Sequence, residues 1–121
     1  MPRGAQEFRR TEEVVIASGA SQSGAIDLTE KGSIMIGIQM PAAWTAAKLT
    51  FLGSFDGTTY GDLYDESGEY QIYSAVAGAF ISTSFLSFLG LRYLKLRSGV
   101  TATPVNQGAE RTFNIVIAAG Y

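Results

Sequence analysis

Most of the side chains able to do chemistry lie between Leu49 and Tyr73. Asp56, Asp62, Asp65, Glu66 and Glu69 are five of the chain's 11 acidic residues, and Tyr60, Tyr64, Tyr70 and Tyr73 are four of its 6 tyrosines. Two carboxylates flanking a glycosidic bond can hydrolyse it. Sequence spacing places no pair here at the required separation, and acids crowding turns are usually solvated. Asp62, Asp65 and Glu66 are hard oxygen ligands close in sequence, a set that suits Ca²⁺, but they lack the regular spacing of a known calcium loop. Trp44 and the four tyrosines carry faces that stack on sugar rings, with Asp, Asn and Gln nearby to bond hydroxyls. The competing expectation is that about half of these rings pack in the core.

What is missing narrows the chemistry further. The chain has no histidine and no cysteine. The commonest general base, the commonest transition-metal ligand and all thiolate chemistry are therefore absent. Lys31, Lys48 and Lys95 sit in no catalytic motif, and the glycines are scattered as turn residues rather than gathered in a phosphate loop. The expectation is a protein that is not an enzyme and holds no cofactor, with Ca²⁺ the one metal the acids leave open. Net charge is −2, with no basic run beyond Arg9-Arg10, which argues against nucleic acid as a partner. No apolar run approaches the roughly 20 residues of a membrane helix. The N-terminus lacks the apolar segment of a secretory signal. Work outside a cell would follow from arriving within something assembled inside one.

A chain of 121 residues reads as one domain with a sizeable core. It is 46% hydrophobic and only 17% charged, so its surface is rich in Ser, Thr, Gly and Asn. Such a surface suits a protein that spends its life against a partner, and suits an ordinary small β domain equally well.

The elements that must position these side chains are strands. Asp56-Gly57 separates two runs rich in β-branched and aromatic residues, a strong hairpin signal, because Gly57 accepts positive φ. Asp65-Glu66-Ser67-Gly68 marks a second turn. Leu49 to Tyr73 is thus expected to form a three-stranded antiparallel meander. Residues 1–11, with Pro2 and Gly4, read as an N-terminal arm, either disordered or docked on a neighbouring subunit. Residues 12–121 form the domain. Glu12 to Ser18 is expected as the first strand and Ala25 to Thr29 as a short second one.

In Ser33 to Met40, Ile34, Ile36, Ile38 and Met40 alternate with Met35, Gly37 and Gln39. Gly37 signals a bulge or a close backbone approach. Trp44 is expected in the core, with an exposed stacking platform as the alternative. Ala75 to Ser84 is one strand or a strand broken at Gly78. Phe85, Phe88 and Leu89 fit a turn of helix. Leu91 to Ser98 alternates again, placing Tyr93, Lys95 and Arg97 on one face. Arg111 to Ala119 puts Phe113, Ile115 and Ile117 on one face. Eight to ten short strands without a confident helix predict an all-β antiparallel sandwich.

Two stretches carry family resemblances. Leu52-Gly-Ser-Phe-Asp-Gly-Thr-Thr-Tyr60 resembles the Ser-x-Asp-Gly-x-x-Trp turn of discoidin-like, galactose-binding-like domains, with Tyr60 in the Trp position. Leu91-Arg-Tyr-Leu-Lys-Leu96 resembles a core strand of the same domains. The resemblance implies a jelly-roll sandwich, and no sugar- or lipid-binding residue of that family lies within these motifs. Met40 to Phe51, Ser54-Phe-Asp-Gly57, Asp62-Leu-Tyr-Asp65 and Leu96 to Arg111 resemble small proteins of tailed bacteriophages. The most specific part is Arg97-Ser-Gly, followed by Thr103-Pro-Val-Asn-Gln107 and Arg111. This second resemblance implies a virion component, a head decoration (cement) protein or a tail-associated module.

The expected function is a non-enzymatic virion structural protein on the capsid surface. Its partners would be the major capsid protein and copies of itself. The alternative is a carbohydrate-binding module that recognises a host surface glycan. Candidate contact residues are Phe8, Arg9, Arg10, Trp44, Tyr60, Asp62, Tyr64 and Asp65. Arg92, Lys95, Arg97 and Arg111 make the C-terminal half basic against the acidic meander, an arrangement that lets one copy meet another, or an acidic shell, head-to-tail if the two groups fall on separate edges.

Overall fold

The computed structural model describes residues 9–83, 88 and 90–118. Phe8 and the rest of residues 1–8, and most of the segment expected as a helical turn, lie outside them. Ten strands follow in chain order: β1 Arg9–Ile16, β2 Ile26–Asp27, β3 Ile34–Gln39, β4 Leu49–Ser54, β5 Gly61–Asp62, β6 Tyr64–Asp65, β7 Gly68–Glu69, β8 Phe80–Ser82, β9 Tyr93–Ser98 and β10 Arg111–Ala118. A short 3₁₀ turn spans Glu30–Gly32.

One sheet runs β1-β10-β3-β8 and the other β2-β9-β4-β5, with every neighbouring pair antiparallel. The β6–β7 hairpin stands apart. With it set aside, the eight strands follow the order of a jelly roll, changing sheet at every step except β4 to β5, two interleaved Greek keys closed face to face. The fold is therefore the expected antiparallel β-sandwich.

The core lies between the sheets. Phe113, Ile115 and Ile117 of β10 are fully buried, as their alternation predicts, and meet Phe51, Leu94, Leu96, Ile38 and Phe88. Phe51, Tyr70 and Phe88 form a ring cluster with centroids 5.3–5.7 Å apart. Tyr70 thus serves the core and is withdrawn from the sugar-stacking set.

Three expectations shift. The first strand begins at Arg9 rather than Glu12, because β10 is eight residues long and pairs with β1 from Arg9↔Ala118 to Ile16↔Arg111. Residues 9–11 are therefore strand and not arm. In β3 the register slips between Val116 and Ile117, so Gly37 faces Val116 while Met35 faces Ile117. The bulge breaks the apparent alternation: Met35 is fully buried and Ile36 only partly. Gly37 also meets the second expectation, since a Cβ there would lie 3.1 Å from the Phe80 ring.

The meander is likewise only partly regular. β4 pairs with β5 through Leu52↔Asp62 and Gly53↔Gly61, but the chain then leaves the sheet as the β6–β7 hairpin. It returns at Ile72, which exchanges backbone hydrogen bonds with Leu49. The segment from Ala75 breaks at Gly78, which has φ +75° and donates its N–H to Pro41 O, so β8 is only three residues long.

Candidate functional site

The meander acids have structural partners. Arg97 on β9 is 3% exposed, although it sits on the outer face of its strand. Its Nη1 donates to Asp62 Oδ1 at 2.6 Å and its Nη2 to Glu69 Oε2 at 2.8 Å. Its Nε donates to Thr50 Oγ1 at 3.0 Å, and Thr50 in turn donates to Gly99 O. Glu69 Oε2 also accepts the N–H and hydroxyl of Thr101. The guanidinium therefore ties the protruding hairpin to the sheet. Arg97, Asp62 and Glu69 meet within one molecule, which removes them from the expected head-to-tail charge pairing.

Asp56 and Asp65 build turns. Asp56 Oδ1 accepts the N–H groups of Thr58 and Thr59 at 2.8 and 2.9 Å and the hydroxyl of Ser54 at 3.0 Å. These bonds, Thr59's first, hold the Asp56 carboxyl below the usual carboxylate range. Asp65 Oδ1 accepts the Ser67 N–H at 2.8 Å. Among the described residues no group of three or more His, Cys, Asp or Glu is placed to hold a metal. Asp62 faces Arg97 and Asp65 faces its own turn, so the two do not converge as a Ca²⁺ set.

The aromatic candidates divide by position. Lys95 Nζ sits 4.4 Å over the Tyr60 ring, and burial pushes the Tyr60 hydroxyl up from its ordinary range. Tyr64 on β6 is exposed. Trp44 precedes β4, whereas Tyr60 follows the far end of that strand. Five strand steps of about 3.3 Å put them roughly 17 Å apart along β4, so they form no single platform.

Trp44 belongs instead to a groove of about 510 Å³ lined by Trp44, Ala46, Ala47, Lys48, Tyr73, Ala75, Val76 and Ala77. Both readings of Trp44 hold in part. One ring edge packs T-shaped on Phe113 at 5.4 Å and its Nε1 donates to Ala47 O, while the side chain also lines the groove. Lys48 Nζ lies 4.5 Å over the Tyr73 ring, and Tyr73 and Val76 are exposed.

A residue named from sequence only within the phage-like string holds this groove in place. Gln107 is 1% exposed and fully bonded. Its Oε1 accepts from Thr45 N–H and Arg111 Nε, and its Nε2 donates to Thr45 O and Ser98 Oγ. It clamps the segment next to Trp44. The string that carries the phage resemblance is thus made of structural residues: the Arg97 ion pairs, the Ser98 and Gln107 bonds, the Gly99↔Pro104 bridge and Arg111 on Thr45. Arg9 is exposed and Arg10 half-buried, both on β1.

No protein-family profile matches the sequence, and no curated protein matches it significantly. Solved structures do share the fold. The SPBc2 prophage-derived protein YomS is similar over 92% of this chain and 95% of its own, with a TM-score of 0.53 and 8% identity. A chain in the capsid of Ralstonia phage GP4 is similar over 93% of this chain and 85% of its own, with a TM-score of 0.50 and 14% identity. A CBM32 module from a Clostridium perfringens family 31 glycoside hydrolase shows a TM-score of 0.43 at 13% identity. At these identities the likeness is one of fold. This chain shares its sandwich architecture with phage-derived proteins.

Proposed function

We propose that this protein is a non-enzymatic structural component of a phage virion that decorates the assembled head and reinforces contacts between capsid subunits. The observation that carries the reading is likeness over nearly the whole chain to a chain in a phage capsid. The site chemistry supports it: Asp62 and Glu69 are both paired with Arg97, and Asp56 and Asp65 are held in turns. Among the described residues the exposed large apolar side chains are Phe55, Tyr64, Tyr73, Val76 and Phe80, which are available to a partner surface. A small domain that binds only the assembled shell stabilises that shell by mass action.

The test is to add purified protein to heads that lack it. It should co-sediment with assembled heads and not with free subunits, reach a copy number of order hundreds per particle, and raise the temperature at which heads open. Binding in a few copies, or none, overturns the reading.

The groove favours a second reading, a carbohydrate-binding module aiding adsorption. Trp44 is the only tryptophan, so a sugar ring seated between it and Tyr73 would shift the whole tryptophan emission. A glycan that shifts emission in the parent but not in Tyr73→Ala would support this reading. An unmoved spectrum across a panel of host-surface glycans would remove it.

A further inference from the structure

Strand β1 ends its sheet, and its outer edge is open along the first half. Gly24 donates its N–H to Val15 O at 3.4 Å and Ile16 bridges Ser23, which covers only the last residues. That bond also sets the direction of the backbone groups. Val15 turns its carbonyl away from β10, so Glu13, Thr11 and Arg9 turn their N–H and C=O groups the same way. Among the described residues nothing pairs with that row.

The side chains along this edge read Arg9-Arg10-Thr11-Glu12-Glu13. Laid antiparallel against itself with Thr11 opposite Thr11, the stretch sets Arg10 against Glu12 and Arg9 against Glu13, in both directions. Every charged pair is then of opposite sign. A slip of two residues either way opposes Glu12 to Glu12 or Arg10 to Arg10, so the charges select one register. Two atoms on the core-facing side also await partners: Arg10 Nη1 and Glu12 Oε1 are shielded from solvent without a hydrogen bond, and Arg10 Nη2 comes only within 3.9 Å of Glu12 Oε1.

We propose that two copies of this chain pair β1 to β1, antiparallel about a two-fold axis at Thr11, and join their sheets into one. Arg9, Thr11 and Glu13 then occupy hydrogen-bonded positions and exchange N–H···O bonds across the axis. Arg10 of one copy and Glu12 of the other occupy the non-hydrogen-bonded positions, where side chains approach closest. The same operation applied to both copies makes the contact isologous and self-limiting at two. Edge charges usually keep other chains away; here their order admits one partner, a reversed copy. The pairing is a property of the isolated chain, so its test is independent of any particle. The contact is half a strand long, far below the roughly 1,600 Å² of a standard interface, so the free dimer is weak and is sought at about 1 mM.

The chain has no cysteine, so Thr11→Cys places a single thiol at the axis. Hydrogen-bonded antiparallel partners have Cα atoms about 5.5 Å apart, within disulfide reach. On oxidation Thr11→Cys should form a covalent dimer, and Val76→Cys, exposed away from β1, should not. By sedimentation, Arg10→Glu should weaken dimerisation about tenfold, and Arg10→Glu combined with Glu12→Arg should restore it. Equal crosslinking of the two cysteine variants, an unchanged Arg10→Glu, or failure of the double reversal to rescue overturns the pairing. Thr11 is an exposed strand residue, so the cysteine experiment stands even where a charge reversal fails to fold.

Discussion

Arg97 Nη2 and Glu69 Oε2 stand 2.8 Å apart, and the arginine side chain keeps only 4% of its exposure. The contact joins strand β9 to a hairpin that has left the sheet. It explains how two acids in a turn-rich segment come to surround a buried cation on an outward strand face. The Thr50, Thr101 and Asp62 contacts satisfy the rest of the guanidinium.

Removing one partner of such a pair strands the others. Arg97→Met should destabilise the domain by about 3 kcal/mol, the low end for a buried pair, because Glu69 loses its counter-charge in a shielded site while Asp62 stays partly solvated. Replacing all three with apolar residues should recover much of that loss. Urea denaturation of the single and triple variants checks both statements. A single variant within about 1 kcal/mol of the parent would show that the cluster is solvated.

Glycines at two turns should respond differently to the same change. Gly99 has φ +91°, and a Cβ there would lie 2.6 Å from both Thr103 O and Val105 N. Gly68 has φ +126°, with nothing within 4 Å of its added Cβ. Gly68→Ala should cost about 1–3 kcal/mol of backbone strain, and Gly99→Ala more, since it meets backbone as well. Thermal melts that place the two variants level would contradict the geometry at Gly99.

Period-2 alternation made β10 and β9 legible, because one face of each is buried between the sheets. Turn chemistry marked Gly57 and Gly68, and both take positive φ. What stayed hidden depends on contacts distant in sequence. Arg97 was assigned to the correct face of β9, but nothing local signals that a hairpin will fold over that face. The run Ile34, Ile36, Ile38 looks like perfect alternation, and only its pairing with β10 shows the bulge beside Ile36. Gln107 has no local partner pattern to mark it, because its bonds to Thr45 span 62 residues. Trp44 was visible as a candidate, but its partner in the groove, Tyr73, is brought there by the return of the chain at Ile72.

Acid should weaken the fold partly through Asp56. Its carboxyl is held below the ordinary value of 3.8, chiefly by the Thr59 N–H. A carboxyl depressed in the folded state contributes stability above its unfolded pKa and loses it as pH falls through the folded one. Stability should therefore fall as pH drops below about 4. Asp56→Asn keeps an acceptor oxygen but cannot titrate, so its urea midpoint should fall less steeply over that window. Asp27, depressed first by the Thr29 hydroxyl, contributes in the same direction. Parallel slopes for parent and Asp56→Asn would remove Asp56 from the acid response.

The start of β1 gives the last prediction. Arg9, Arg10 and Thr11 pair with Ala118, Ile117 and Val116, and Arg10 Nη2 donates to Asp27 O at 3.3 Å. These three residues extend the longest ladder of the sandwich to its end and hold the edge strand against the second sheet. A chain lacking residues 2–11 should be less stable than one lacking residues 2–8 by about 1–3 kcal/mol, the net worth of the ladder bonds lost. It should also lose protection against amide exchange at Ile117, whose N–H faces Arg10 across the ladder. Charged residues at a strand start would otherwise suggest a frayed end, in which case the two truncations melt together and exchange equally. A difference confined to the longer truncation establishes Arg9 to Thr11 as part of the folded sheet.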